Sequence, residues 1–256
     1  MQAHFRIVNR YFTEIAFLGT DFFGWQTQPR ERNVQDTVTK ALQITLQQPD
    51  IKIVGCGRTD TGVHASQFYF HFDSGSVIPE LDKLIYKLNR MLPPSIAIKR
   101  IFITANSLHA RFDAVSRTYQ YHINYFKDPF KADISWHYSR QLDADKMNEA
   151  ASLLLHYSDF AAFSKTGGDN KTTLCIISKA DWRDNENGLL FTITANRFLR
   201  NMVRAIVGTL VGVGMGSINL SDFKNVIESK SRGKAGTSAP AKGLFLTAVK
   251  YPLIDD

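Results

Sequence analysis

Cysteine is nearly missing from this chain, and its scarcity excludes several chemistries at once. Only Cys56 and Cys175 occur in 256 residues, too few for a disulfide scaffold or a Cys-based metal site, and such usage points to a reducing cytosol. Each lies inside a strand-like run, which predicts two buried thiols. Long hydrophobic runs are missing too. None approaches the ~18 apolar residues that a membrane span needs, so no membrane association is expected. Residues 1–12 carry neither the apolar stretch nor the small-residue cleavage site of a secretory signal, and the expected location is cytoplasmic. No His, Cys or Asp/Glu cluster has metal-ligand spacing, so no metal is expected. No glycine pattern fits a P-loop, a dinucleotide fingerprint or a nucleophile elbow.

Negative charge is in deficit: 24 Asp and Glu face 31 Lys and Arg, a net +7 with histidine neutral. Such a surplus suits a polyanionic partner, of which nucleic acid is the commonest. What remains is ordinary for a globular chain, 44% hydrophobic and 21% charged. The length allows one large domain or two small ones, each with its own core.

Periodicity supplies the organisation. Residues 11–19 read as a strand, followed by an unusually aromatic loop, Thr20-Asp21-Phe22-Phe23-Gly24-Trp25-Gln26. Asn33 with Asp36 resembles a capping box, and Val34, Val38, Ala41, Leu42 and Thr45 recur at helical spacing. Residues 51–54 and 68–72 read as strands. Pro79 opens a helix with Leu81, Leu84, Ile85, Leu88 and Met91 on one face, and residues 95–104 alternate as a strand. Strand, helix, strand, strand, helix, strand is the ferredoxin-like order.

The second half repeats it without sequence identity. Residues 115–126 form a strand, and Asp143 or Asp145 caps a helix carrying Met147, Ala150, Ala151, Leu154 and Leu155. Residues 172–183 and 189–195 form a hairpin around Asn185-Glu186-Asn187-Gly188. A long helix runs from about Arg197, a short one covers 221–230, and residues 244–251 supply the last strand. The fold class is therefore α+β, two tandem ferredoxin-like units, an N-terminal domain of residues 1–108 and a C-terminal domain of 109–256. Two basic loops, 165–171 with Lys165 and Lys171, and 231–237, read either as mobile surface or as phosphate contacts.

Three places could carry chemistry. The run Gly57-Arg58-Thr59-Asp60-Thr61-Gly62-Val63-His64-Ala65 joins two strands through glycines, holding the Asp60 carboxylate at a loop apex with Arg58 nearby to favour its ionised form. Local chemistry alone reads Asp60 as a turn aspartate bonded to its own backbone. Arg197, Arg200 and Arg204 stand at i, i+3 and i+7, on one helix face. Arg204, flanked by Val203, Ala205 and Ile206, needs a carboxylate partner if its head is buried, and Asp60 is a candidate. Tyr119, in Ser116-Arg117-Thr118-Tyr119, is either core or, facing a cleft beside a basic residue, a stacking platform for a flipped base. The tripeptide Asp60-Thr61-Gly62 is also how aspartic proteases place a catalytic carboxylate. Those enzymes need two carboxylates sharing a proton; this chain has one copy, and a neighbouring arginine opposes sharing.

The nine-residue loop closely resembles the core motif of the TruA family of tRNA pseudouridine synthases. The likeness continues in order through Gly24-Trp25-Gln26, Leu88-Asn89, Leu92-Pro93, Ala110-Arg111-Phe112, Arg117 and Tyr119, and Asp159-Phe160. It then runs through Phe198-Leu199, Met202-Val203-Arg204, Ile206-Val207-Gly208, Ala239-Pro240 and Gly243-Leu244. Leu18 stands where the family usually has an aspartate, and Thr61 replaces the more frequent alanine. The resemblance implies that the two units join their antiparallel sheets around a central cleft, and that a homodimer grips one tRNA. It implies isomerisation of uridine to pseudouridine at positions 38, 39 and 40 of the anticodon stem-loop, without cofactor or metal. Asp60 would be the nucleophile or base, Arg204 its paired arginine, Tyr119 the residue stacking on the uracil, and Arg58 a prop for the flipped nucleotide. Arg111, Arg117, Lys165 and Lys171 would meet phosphates. A catalytically silent RNA-binding module and the protease are the alternatives.

Overall fold

The computed structural model describes residues 9–105, 107–165, 167, 171–252 and 254. Its architecture is α+β, with two compact units: Met1–Ala114 together with Val249–Asp256, and Val115–Ala248. Set against a division at 108/109, the second unit starts at Val115 and the C-terminal residues group with the first.

In the first unit β1 (Asn9–Phe17) pairs antiparallel with both β3 (His64–Ser74) and β4 (Ile96–Thr104), and short β2 (Ile53–Gly55) pairs with β3. The strands are rich in β-branched and aromatic residues, which pack well on a pleated surface. Phe12, Ile15, Phe17, Phe68, Phe70 and Phe72 are all buried. Phe12 lies on the opposite face from Phe68, Phe70 and Phe72, stacked on His71. The helices of this unit are α1 (Val34–Leu46), which buries Val34, Val38, Ala41 and Leu42, and α2 (Leu81–Met91), which buries Leu84 and Leu88. Asn33 caps α1 by accepting the Asp36 N–H at 2.8 Å. The carboxylate of Asp36 turns to the Asn33 amide and the Thr27 hydroxyl, tying the helix start to the aromatic loop.

The second unit repeats the order. Its strands β5 (Ser116–Asn124), β7 (Ile177–Asn185), β8 (Gly188–Ala195) and β9 (Leu244–Lys250, the last two residues of which group with the first unit) lie as β9, β5, β8, β7, with two-residue β6 (Trp136–His137) against β5. Helices α3 (Ala144–Leu153), α4 (Met202–Gly214) and α5 (Leu220–Glu228) complete it. Asp143 is the cap of α3, accepting from the Lys146 N–H. Met147, Ala150, Phe191, Ile193, Ile206, Leu210 and Phe223 are fully or almost fully buried.

Three details differ from expectation. The β7 strand begins at Ile177, because residues 172–176 cross to a bridge between Asp159 and Leu174. Cys56 and Cys175 are buried, as expected, and form no disulfide, yet each sits just outside a strand; burial pushes the Cys175 thiol up to about 11, so it is not a ready thiolate. The long helix starts at Met202 and not at Arg197. Asn201 takes a left-handed φ of 64°, which a right-handed helix cannot continue through, and its amide bonds the Ser238 hydroxyl at 2.7 Å.

The end strands of the two units share one device. Asn89 on α2 donates to the Ile98 carbonyl and accepts the Ile98 N–H, at 2.9 and 2.7 Å. Asn148 on α3 does the same with Trp182 of β7, at 3.0 and 2.7 Å. Each primary amide thus occupies the backbone N–H and C=O of one buried end-strand residue, as a neighbouring strand would.

Candidate active site

The Asp60 loop is built on a second loop. Residues 19–25 run beneath it, laced by backbone hydrogen bonds from Trp25 N to Thr59 O at 3.4 Å and from Gly62 N to Phe22 O at 3.2 Å. Val63 N closes the turn onto Asp60 O at 3.1 Å. The two chains approach so closely that a Cβ on Gly24 would lie 2.3 Å from Thr59 O, and Gly24 also has φ +83°. Both facts require glycine there. Trp25 is 2% exposed, its ring stacked on Phe68 at 4.1 Å. It anchors the supporting loop in the core.

His64 fastens the other end. Its side chain is fully buried, and Nδ1 accepts the Gly19 N–H at 2.9 Å, which fixes the ring orientation and leaves the proton on Nε2. Sequence reading gave neither His64 nor Trp25 a role. A buried imidazole directly after a catalytic-type loop is the signal that could have found them, because a buried polar group must be satisfied by a specific partner. The result is a half-buried Asp60 carboxylate on a loop held at both ends, with Arg58 and Thr61 exposed beside it.

In the second unit, Tyr119 sits half-buried on β5, opposite Ile193 of β8, with its ring edge-on to Phe198 at 5.1 Å. Arg117, on the same face of the strand, donates to the Asn196 carbonyl at 2.8 Å. Arg204 lies in the first turn of α4. Its Nε donates to the Ala239 carbonyl at 2.8 Å while its own carbonyl accepts the Ala239 N–H at 2.9 Å. This reciprocal pair fixes the guanidinium against the 235–239 loop. Tyr121, buried nearby, donates to the Pro240 carbonyl; burial pushes its phenol well up, opposed by the charge of Arg204.

The shared helical face of three arginines does not exist. Arg197 and Arg200 precede α4, where Arg197 reaches the Thr172 carbonyl and Arg200 accepts the Lys165 N–H on its backbone. The 231–237 loop is well tied. Arg232 donates to the Ala235 and Gly236 carbonyls and to Ser238, and Gly236 N donates to the buried Thr209 hydroxyl. Of the 165–171 loop, residues 166 and 168–170 lie outside the described residues; Lys165 and Lys171 are exposed. Arg111 is exposed on the first unit. Among the described residues no group of three or more His, Cys, Asp or Glu side chains could hold a metal ion, and no helix is long and apolar enough to cross a membrane.

Comparison with known proteins covers both units. A family model described as tRNA pseudouridine synthase matches residues 150–252, which include Arg204 but not Asp60. Whole-chain relatives extend the likeness to the Asp60 loop. The tRNA pseudouridine synthase A of Bacteroides fragilis is 48% identical over 246 residues, covering 96% of this chain and 97% of the relative. That of Bacillus subtilis is 40% identical over 240 residues, covering 93% and 97%. That of Acetivibrio thermocellus is 38% identical over 239 residues, covering 93% and 97%.

Proposed function

Because the chain belongs to the TruA family of tRNA pseudouridine synthases, it is an isomerase that converts uridine to pseudouridine, and we propose that Asp60 starts that reaction on tRNA. Family membership sets aside the protease and the silent RNA-binding module. The observation that carries the proposal is the rigid seat of Asp60, whose loop is laced to residues 19–25 and pinned through His64. A fixed carboxylate is what attack or proton removal at one defined atom requires.

The reaction breaks the bond from ribose C1′ to uracil N1, turns the freed uracil, and joins C1′ to C5; N1 gains a proton and C5 loses one. We assign Asp60 as nucleophile or base, and Arg204 as a further catalytic residue. The reciprocal hold between Arg204 and Ala239 supports a guanidinium aimed in one direction. Tyr119 stacks on the target uracil, a contact worth roughly 1–3 kcal/mol in single-strand binders. Arg58 keeps the flipped nucleotide out of its helix. Arg111, Arg117, Lys165 and Lys171 contact phosphates. We further propose that the targets are positions 38, 39 and 40 of the anticodon stem-loop, and that the enzyme acts in the cytoplasm as a homodimer without cofactor or metal.

The test is to map pseudouridine in unmodified tRNA after incubation with the purified protein and with Asp60→Asn. Modification at 38–40 by the parent and none by the variant is expected, with tRNA binding retained. Turnover by Asp60→Asn would remove the assignment, and modification elsewhere would remove the target positions.

A further inference from the structure

Away from Asp60, residues 108–113 form a turn tied down at almost every residue. Arg10 grips Asp73 through two hydrogen bonds of 2.7 and 2.8 Å and gives a third to the Leu108 carbonyl at 3.0 Å. His71 Nδ1 accepts the Ala110 N–H at 3.1 Å, and the Tyr251 hydroxyl donates to the Ala110 carbonyl. Asp113 accepts the His109 N–H at 2.6 Å, while His109 Nδ1 accepts the N–H groups of Arg111 and Phe112 at 3.1 and 3.3 Å. Burial first, then the charge of Arg10, holds His109 below its ordinary range. A neutral imidazole keeps that acceptor.

This scaffold mounts one ring. Phe112 stacks on His109 with centroids 4.3 Å apart and planes 30° from parallel, and His109 in turn sits edge-on to His71 at 4.8 Å. Yet Phe112 remains 74% exposed. Little of its burial energy is realised in the chain itself. Its inner face rests on the imidazole and its outer side meets solvent. Arg111 stands beside it, guanidinium carbon 5.7 Å from the ring centre. A fixed, open aromatic with a cation alongside matches a flat π-system that carries an anion. An unpaired nucleotide has both, and the net charge of +7 favours such a ligand.

We propose that Phe112 is a stacking platform for an unpaired base of the tRNA, with Arg111 meeting the adjoining phosphate. The platform rests on the reading that tRNA is the substrate, and it is a contact separate from the Asp60 loop. The test compares the parent protein with Phe112→Ala, Phe112→Leu and Phe112→Trp, each first checked for an unchanged melting temperature. If stacking is the role, Ala and Leu weaken tRNA binding and raise KM about tenfold, because Leu keeps apolar bulk but has no π face. Trp restores both, and its fluorescence is quenched when tRNA is added. Binding by the Leu variant equal to that of the parent, or a Trp signal indifferent to tRNA, overturns the platform. So does conversion of the Ala and Leu variants to a smaller species in sedimentation, which would place Phe112 between copies of the chain. A parent protein that neither binds nor modifies tRNA would instead sink the functional reading itself.

Discussion

At the scale of single residues, the site depends on groups that do no chemistry. Gly24 is the sharpest case, because a Cβ there would press into Thr59 O at 2.3 Å while also straining a positive φ. Gly24→Ala is expected to cost about 1–3 kcal/mol and to lower kcat more than tRNA affinity, since the loop moves before the RNA-contacting surface does. Calorimetry and steady-state kinetics check both parts. His71 makes a second prediction. Burial chiefly, with the charges of Arg10 and His109, pushes it down to about 4, against about 6.5 when unfolded. Its neutral form is favoured by folding, so its contribution is fully present above pH 6.5 and is lost as pH falls towards 4. The parent protein should lose melting temperature through that window. His71→Gln, which keeps an acceptor but does not titrate, should lose less.

Elements tell how much of this was legible. The order of strands and helices could be read from periodicity, since each has one buried and one wet face, and that pattern survives in sequence. Where the sequence misled, a local backbone choice overrode an apolar or charged rhythm. Arg197, Arg200 and Arg204 have helical spacing, but Asn201 in a left-handed conformation stops the helix between the second and the third. The Asn185–Gly188 turn was found for a different reason from the one that makes Gly188 necessary. None of its four residues has positive φ; a Cβ at Gly188 would instead strike the Ile123 carbonyl at 2.1 Å. The Asp60 motif was visible because it is contiguous. Its support by residues 19–25 was not, because 45 residues separate Gly19 from His64 and no local pattern encodes that contact. The hold of Asn89 and Asn148 on their strands was equally silent. Removing either side chain, as in Asn89→Ala or Asn148→Ala, leaves two strand groups without their partner and is expected to cost about 1–3 kcal/mol, measurable by urea denaturation.

For the whole molecule, charge sets the behaviour towards RNA. A chain of net +7 that neutralises phosphates must release counterions on binding, so log affinity should fall linearly with log salt, with a slope of about −0.9 per duplex phosphate contacted. Titrations at several ionic strengths measure it, and Lys165→Ala with Lys171→Ala should make the slope shallower by up to about two such contacts. A flat response would remove the basic loops from tRNA binding. The asparagines on α2 and α3 have a consequence beyond the stability of their own units. By filling the hydrogen-bonding slots of Ile98 and Trp182, they deny a passing polypeptide a template on which to lay itself down. The two edges are thereby spared strand-to-strand aggregation, and heating the alanine variants should bring turbidity earlier than their lost stability alone would predict.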